Sequence, residues 1–132
     1  MATSGPLVLL IDDDTDMHDV VRLMLEPMGY RIAACTTASE GLALIGTARP
    51  DLVLLDVMLT TPTEGLEVAA RLRDDPALRR PVILISSAPL TDRAESDLAG
   101  LCARFLEKPL DAQQLRGAVA EVLGESGGGS PC

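Results

Sequence analysis

Three consecutive aspartates stand at the end of the first apolar stretch of the chain. Asp12, Asp13 and Asp14 follow directly on the run LVLLI, residues 7–11. Two like charges about 4 Å apart repel each other by about 4 kcal/mol at an effective dielectric of about 20. Carboxylates placed side by side at the end of a buried segment therefore either spread into water or surround a cation.

Three other side chains capable of chemistry follow later apolar runs. Asp56 ends DLVLLD, Ser86 ends PVILIS, and Lys108 follows ARFLE. Lys108 is the only lysine among 11 basic residues, and its ammonium is a point charge on a flexible stem that can reach one phosphate oxygen. Acids, a hydroxyl and an ammonium at one point suit Mg²⁺ together with a phosphate, because Mg²⁺ takes one or two carboxylates plus phosphate oxygens.

The elements that must position these side chains alternate along the chain. Short apolar runs alternate with stretches of helical spacing, which predicts a strand followed by a helix five times over. The strands are apolar throughout, so both faces of the sheet are covered, which predicts a doubly wound parallel α/β fold. Right-handed crossovers then bring the carboxyl ends of all strands to one edge, where ligands of such folds bind. Predicted strands span residues 7–11, 30–35, 51–57, 81–86 and 103–107, and predicted helices about 15–28, 37–49, 65–75, 91–101 and 111–125.

Local signals predict where the first two helices begin and end. Thr15 or Asp16 is predicted to cap the first helix, and Pro27 to disturb its last turn before Gly29 ends it. Thr37 or Ser39 is predicted to cap the second helix. The lone histidine, His18, is interpreted as a partly exposed surface residue of the first helix and not as a phosphodonor.

Composition and charge exclude several classes of protein. The chain has 132 residues, 47% of them hydrophobic, which suits one folded domain. A net charge of −9 argues against direct nucleic-acid binding or an anionic membrane surface, and no apolar run approaches the roughly 20 residues of a membrane span. The opening MATSGP lacks the features of a signal peptide. The cysteines at positions 35, 102 and 132 form no metal-type pair, which favours a reduced, cytoplasmic location.

Four segments taken together resemble the receiver domain of two-component response regulators: LIDDDTD, DLVLLDVML, VILISS and FLEKPL. The resemblance covers about residues 6–124, with 43 residues from Asp13 to Asp56, 30 to Ser86 and 22 to Lys108. It implies a flavodoxin-like five-stranded sheet in the order 2-1-3-4-5. Residues 1–5 are then an N-terminal extension and residues 125–132 a flexible Gly-rich tail. No output domain is visible, which favours a stand-alone receiver or a piece of a longer protein.

The resemblance assigns an acceptor and a metal site. Asp56 matches the phosphoacceptor of the family. Asp12 and Asp13 match the acidic pair that binds Mg²⁺ together with Asp56 and the backbone carbonyl of Met58. The loop that follows departs from the family pattern, since Thr60 stands where proline is usual, and this puts partner docking in doubt.

The resemblance also assigns residues that respond to phosphorylation. Ser86 and Lys108 match the hydroxyl and the ammonium that contact the phosphoryl group. Ser86 and Phe105 match the switch pair; the position of Phe105 favours this role over the alternative of a simple core residue. The Lys108–Pro109 bond is usually cis in this family.

These assignments imply a signalling function with protein partners. The domain is expected to take a phosphoryl group from a histidine kinase or a histidine phosphotransfer protein, assisting its own phosphorylation and slow dephosphorylation. It is expected to switch binding of a downstream protein target through the face of the fourth helix, fifth strand and fifth helix, the face through which homodimers commonly form in the family.

Three alternatives stay open at this stage. They are a shuttle in a phosphorelay, a receiver-like scaffold that is not phosphorylated, and a phosphatase of the haloacid-dehalogenase type. The last is least favoured, because that family carries D-x-D-x-T on its first strand and here Thr15 follows Asp14 directly.

Overall fold

The fold is built on one sheet with helices along both of its faces. A computed structural model describes residues 5–56, 64–76, 78, 80–86 and 103–123. The predicted fourth helix, residues 91–101, lies outside these ranges, as does Met58. The described elements are β1 Leu7–Ile11, α1 Thr15–Leu25, a 3₁₀ turn Glu26–Met28, β2 Arg31–Cys35, α2 Ala38–Ala48, β3 Leu52–Asp56, α3 Glu64–Asp74, β4 Val82–Ser86, β5 Ala103–Glu107 and a last helix Ala112–Val122.

All five strands are parallel and lie in the order β2-β1-β3-β4-β5, which confirms the predicted fold class. Ile11 pairs with Leu55 across β1 and β3, and Asp56 pairs with Ile85 across β3 and β4. The carboxyl ends of β1, β3 and β4 therefore lie side by side. Every residue of β3 and β4 is buried, which explains their unbroken apolar runs.

Two apolar layers hold the sheet between its helices. Alternate residues along a strand point to opposite faces, so β1, β3 and β4 each supply both layers. One layer joins the sheet to α2 and α3, and the other joins it to α1 and the last helix. The first contains Leu9, Ile11, Ile45, Val53, Leu55, Val68, Leu72 and Leu84; the second contains Val8, Leu10, Val21, Leu25, Leu54, Ile83, Ile85, Leu115 and Val119. No helix of the described ranges has the length and apolarity to cross a bilayer.

The ends of the first two helices correct one prediction and confirm three. Thr15 and Asp16 do not cap α1. Asp14 does, because its extended backbone lets its carboxylate accept from the Asp16 N–H at 2.9 Å. Pro27 lies in the 3₁₀ turn that follows α1, and Gly29 ends that turn with φ 96°, as predicted. Thr37 caps α2, accepting from the Glu40 N–H at 3.1 Å.

Two glycines of α2 offer a matched test of how closely this helix packs on β1. A Cβ at Gly41 would lie 2.8 Å from Cγ1 of Ile11, whose side chain is fully buried. We expect Gly41→Ala to lower the free energy of unfolding by about 1–3 kcal/mol, measured by urea denaturation. Gly46 has open space around it, so Gly46→Ala should instead raise that free energy by about 0.5–1 kcal/mol through helix propensity. Equal effects at the two positions would contradict the close approach.

Candidate functional site

An acidic cluster lies at the carboxyl edge of the sheet. Asp12 follows β1 and Asp56 ends the neighbouring β3, so the strand register places them together. Asp12, Asp13 and Asp56 each offer one carboxylate oxygen, and these oxygens lie within 4.8 Å of one another. Asp12 and Asp56 are buried whereas Asp13 is exposed, so the cluster is accessible from the side of Asp13. The predicted convergence of the three aspartates is thus present.

Asp12 is held so that one carboxylate oxygen lacks a hydrogen bond. Its N–H donates to the carbonyl of Cys35 at 3.1 Å, and its Oδ1 accepts from the Asp14 N–H at 2.9 Å. Oδ2 is buried and accepts no hydrogen bond. A buried oxygen without a hydrogen bond is uncommon in native proteins, and a charged partner, either an ammonium or a metal ion, explains it.

Lys108 bridges the two buried carboxylates. Its Nζ lies 3.4 Å from Asp12 Oδ2 as an ion pair and donates a hydrogen bond to Asp56 Oδ2, also at 3.4 Å. Burial by itself would lower the pKa of Lys108, but attraction by Asp12 and Asp56 outweighs it and raises this pKa above its usual value. The ammonium therefore stays charged at neutral pH, and one positive charge faces three formal negative ones.

Ser86 and Phe105 occupy different environments. Ser86 ends β4 and is buried, and its carbonyl accepts the Lys108 N–H at 2.8 Å, which ties the lysine segment to the edge of the sheet. The Lys108–Pro109 bond is cis, as the resemblance implies. Phe105 on β5 is 37% exposed, so its interpretation as a core residue is wrong.

His18 has a contact that the sequence analysis missed. It is half-buried on α1, and its Nε2 lies 2.7 Å from the backbone carbonyl oxygen of Asp12. The prediction that His18 is partly exposed is confirmed. Its hydrogen bond to Asp12 was not predicted. The one available signal is position, since the first turns of a helix that follows a strand lie over the end of that strand.

These residues fit a divalent cation. Mg²⁺ prefers oxygen ligands and takes one or two carboxylates while keeping several waters. The cluster offers three carboxylates, among them a buried oxygen without a hydrogen bond, and it opens on one side at Asp13.

Cys35 lies behind the cluster and carries a prediction of its own. Burial and the nearby charge of Glu40 raise the pKa of its thiol from 9.0 to about 11, although a backbone hydrogen bond at Thr37 offsets part of this. At pH 8 we expect iodoacetamide to label Cys35 at least about 100-fold more slowly than in the urea-unfolded chain, because the thiolate is the reactive form. Peptide mapping after timed labelling measures this, and similar rates in the two states would contradict it.

Comparison with known proteins decides the family. Residues 8–120 match the response regulator receiver domain. The chain belongs to this family. The strand order found here agrees with the fold of receiver domains, which are signalling domains and not classical enzymes.

Individual receiver proteins are similar over most of this chain. The polar-differentiation response regulator DivK of Brucella anthropi is 29% identical over 120 residues, covering 90% of this chain and 97% of its own. The phosphate regulon transcriptional regulatory protein PhoB of Pseudomonas aeruginosa is 29% identical over 126 residues, covering 95% of this chain and 55% of its own. The chain spans nearly all of DivK, but it spans only about half the length of PhoB and of the other first curated relatives that it matches.

A solved structure supports the same assignment. The crystal structure of a CheY-like response regulator receiver domain protein from Methanospirillum hungatei JF-1 is 29% identical, with a TM-score of 0.79. The similarity covers 94% of this receiver chain and 98% of that one.

Proposed function

We propose that this receiver domain accepts a phosphoryl group on Asp56 from a histidine kinase or a histidine phosphotransfer protein, with Mg²⁺ as cofactor. The observation that carries the proposal is the position of Asp56, whose buried carboxylate lies in the acidic cluster and accepts a hydrogen bond from the Lys108 ammonium. Membership of the receiver family supports the same role.

The proposed transfer is a displacement at phosphorus. An oxygen of the Asp56 carboxylate forms a bond to phosphorus, the phosphorus–nitrogen bond of the donor breaks, and its electron pair stays on the donor imidazole. The product is an acyl phosphate on Asp56. Such transfers depend mainly on positioning and charge neutralisation, which the Lys108 ammonium and the Ser86 hydroxyl would supply to the phosphoryl oxygens.

The proposed metal ligands are the carboxylates of Asp12, Asp13 and Asp56 and the backbone carbonyl of Met58. When bound, Mg²⁺ neutralises the charge of carboxylates and phosphoryl oxygens. The charges of Asp12 and Lys108 surround the reacting oxygen of Asp56. Because Asp12 and Asp56 are buried, water has limited access to this oxygen from the side of the sheet.

The proposed response to phosphorylation is a shift between two conformations. The acyl phosphate adds up to about two negative charges and three acceptor oxygens. In the proposed second conformation the Ser86 hydroxyl moves to contact these oxygens, and the Phe105 side chain turns inward. Phe105 lies on β5 beside Arg104, whose ion pair with Glu121 joins β5 to the last helix. We propose that the face formed by β5, the last helix and the predicted fourth helix binds the downstream protein target or a second copy of the chain.

The chain layout and location also stay proposals. Residues 6–124 are proposed as the receiver domain; apart from Gly5, the predicted extension 1–5 and the predicted tail 125–132 lie outside the described residues. The cytoplasmic location stays a prediction from the cysteine pattern, as does the absence of direct nucleic-acid binding from the net charge.

Phosphate uptake from a small donor tests the proposed function. The natural chain is incubated with acetyl phosphate and either Mg²⁺ or EDTA, and its intact mass is followed over time. We expect one added phosphoryl group with Mg²⁺ and none with EDTA. Uptake with slow decay and reversible transfer to a histidine phosphotransfer protein would favour a phosphorelay shuttle over a short-lived switch. No uptake would favour the scaffold alternative.

A further inference from the structure

The contact between His18 and Asp12 lies beside the candidate metal site but contains no proposed metal ligand atom. The His18 Nε2 is 2.7 Å from the carbonyl oxygen of Asp12. A carbonyl oxygen only accepts hydrogen bonds, so Nε2 carries the proton and donates. The other ring nitrogen, Nδ1, is then unprotonated in the neutral side chain.

This hydrogen bond fixes the peptide unit that joins two members of the acidic cluster. The carbonyl that His18 binds belongs to the peptide between Asp12 and Asp13, so its orientation sets the relative positions of both residues. Asp12 is 0% exposed, so water does not readily replace the imidazole as a donor. His18 therefore restricts a rotation that would separate the two carboxylates.

Three hydrogen bonds together leave one carboxylate oxygen of Asp12 that forms only an ion pair. The Asp12 N–H is bound by the carbonyl of Cys35, Oδ1 by the N–H of Asp14, and the backbone carbonyl by His18. Oδ2 accepts no hydrogen bond from the described residues and is paired only with the Lys108 ammonium, at 3.4 Å. The partners in Cys35 and Asp14 are backbone groups, whereas His18 contacts Asp12 through its side chain. A substitution can therefore remove the contact from His18 without changing the backbone.

We propose that His18 is a positioning residue for the divalent cation site, holding the Asp12–Asp13 peptide so that both carboxylates are spaced for the ion. The inference rests on the proposed function, since it assumes that the acidic cluster binds Mg²⁺. Groups that orient metal ligands from outside the coordination shell typically change metal affinity by about 10–100-fold when they are removed.

Two substitutions separate the hydrogen bond from the bulk of the side chain. His18→Phe keeps a ring of similar size but removes the donor, whereas His18→Gln places an amide N–H at about the reach of Nε2. We expect the Kd for Mg²⁺, measured by calorimetry without any phosphoryl donor, to rise about tenfold in His18→Phe. His18→Gln should stay within about threefold of the natural chain, because a donor is still present.

A kinetic readout distinguishes positioning from general damage to the fold. Uptake from acetyl phosphate is measured over a range of Mg²⁺ concentrations. In His18→Phe the half-saturating Mg²⁺ concentration should rise by the same factor as the Kd, while the rate at saturating Mg²⁺ stays unchanged because Asp56 and Lys108 are intact. A lower saturated rate with an unchanged half-saturating concentration would overturn the proposal.

A measurement on the natural chain keeps the proposal testable if His18→Phe does not fold. Nitrogen NMR of the imidazole should show the neutral ring protonated at Nε2, with a slowly exchanging Nε2 proton. An unprotonated Nε2 would overturn the inference.

The outcomes for the natural chain and the variant separate the two proposals. If the natural chain does not bind Mg²⁺, the proposed function and this inference both fail. If the natural chain binds Mg²⁺ and His18→Phe binds it equally tightly, only the role of His18 fails.

Discussion

Replacing Asp56 by asparagine is expected to abolish the Mg²⁺-dependent gain of a phosphoryl group from acetyl phosphate. The amide has nearly the shape of the carboxylate but is not a nucleophile of comparable strength, so no acyl phosphate forms. The change removes one of three clustered negative charges and introduces no larger side chain, so the fold should persist. Intact mass after a long incubation measures the loss, which we expect to be complete within detection.

An aspartate outside the cluster supplies the matched control. Asp19 is an exposed residue of α1, and Asp19→Asn makes the same chemical change with the same loss of charge. Uptake in this variant should stay within about twofold of the natural chain, since water and salt screen an exposed charge. Undiminished uptake in Asp56→Asn would place the acceptor elsewhere, and tandem mass spectrometry would then locate it, with Asp12 and Asp13 as the first candidates.

The sheet was predictable because its central strands are buried on both faces. Such strands are apolar without alternation, and the boundaries of β1 were predicted to the residue while those of β3 and β4 were within one. The boundaries of β5, an edge strand, were also predicted to the residue. β2 lies at an edge of the sheet and is only partly buried along most of its length, so its apolar pattern is weaker. Its predicted start was nonetheless within one residue of the observed one.

The convergence of the acidic cluster was predictable for a topological reason. Parallel strands end at one edge, so residues that directly follow β1 and β3 must be neighbours whatever the details of packing. The same reasoning places Lys108, which follows β5, at that edge. The distances of 3.4 Å to Asp12 and Asp56 were not predictable, because they depend on the conformation of a long side chain.

Two features of the connection from β1 to α1 could not be predicted from the sequence, namely the residue that caps α1 and the hydrogen bond from His18. Thr15 and Asp16 are chemically suitable caps, and only the extended backbone of Asp14 determines which residue caps α1. The donor from His18 to Asp12 depends on how the first turns of α1 are oriented over the strand end. Both features depend on local backbone geometry, which the residue types alone do not determine.

Replacing Lys108 by methionine is expected to destabilise the metal-free chain strongly. Its ammonium lies 3.4 Å from a carboxylate oxygen of each buried aspartate, Asp12 and Asp56, and no other cation of the described residues forms an ion pair with either. Removing one partner of a buried ion pair typically costs about 3–5 kcal/mol. Since Lys108 is itself partly exposed, with 22% of its side chain accessible, we expect a loss nearer about 2–3 kcal/mol in urea denaturation with EDTA.

An exposed cation provides the control for this loss. Arg22 on α1 pairs with Glu26 at 3.7 Å, and both side chains are about half exposed. Arg22→Met likewise replaces a long cationic side chain by an uncharged one, yet it should change the free energy of unfolding by no more than about 0.5 kcal/mol. A similar loss in the two variants would contradict the bridging role of Lys108.

The response to Mg²⁺ separates the electrostatic role of Lys108 from its role in transfer. A bound cation supplies the positive charge that Lys108→Met lacks, so added Mg²⁺ should stabilise this variant more than it stabilises the natural chain. The rate of phosphoryl uptake should nonetheless stay low at saturating Mg²⁺, because the ammonium that would contact the phosphoryl oxygens is still missing. Equal stabilisation of both chains by Mg²⁺ would mean that Lys108 and the cation do not compensate the same carboxylates. Recovery of stability without recovery of rate would instead identify two separate contributions of Lys108, one to the resting cluster and one to the transferred group.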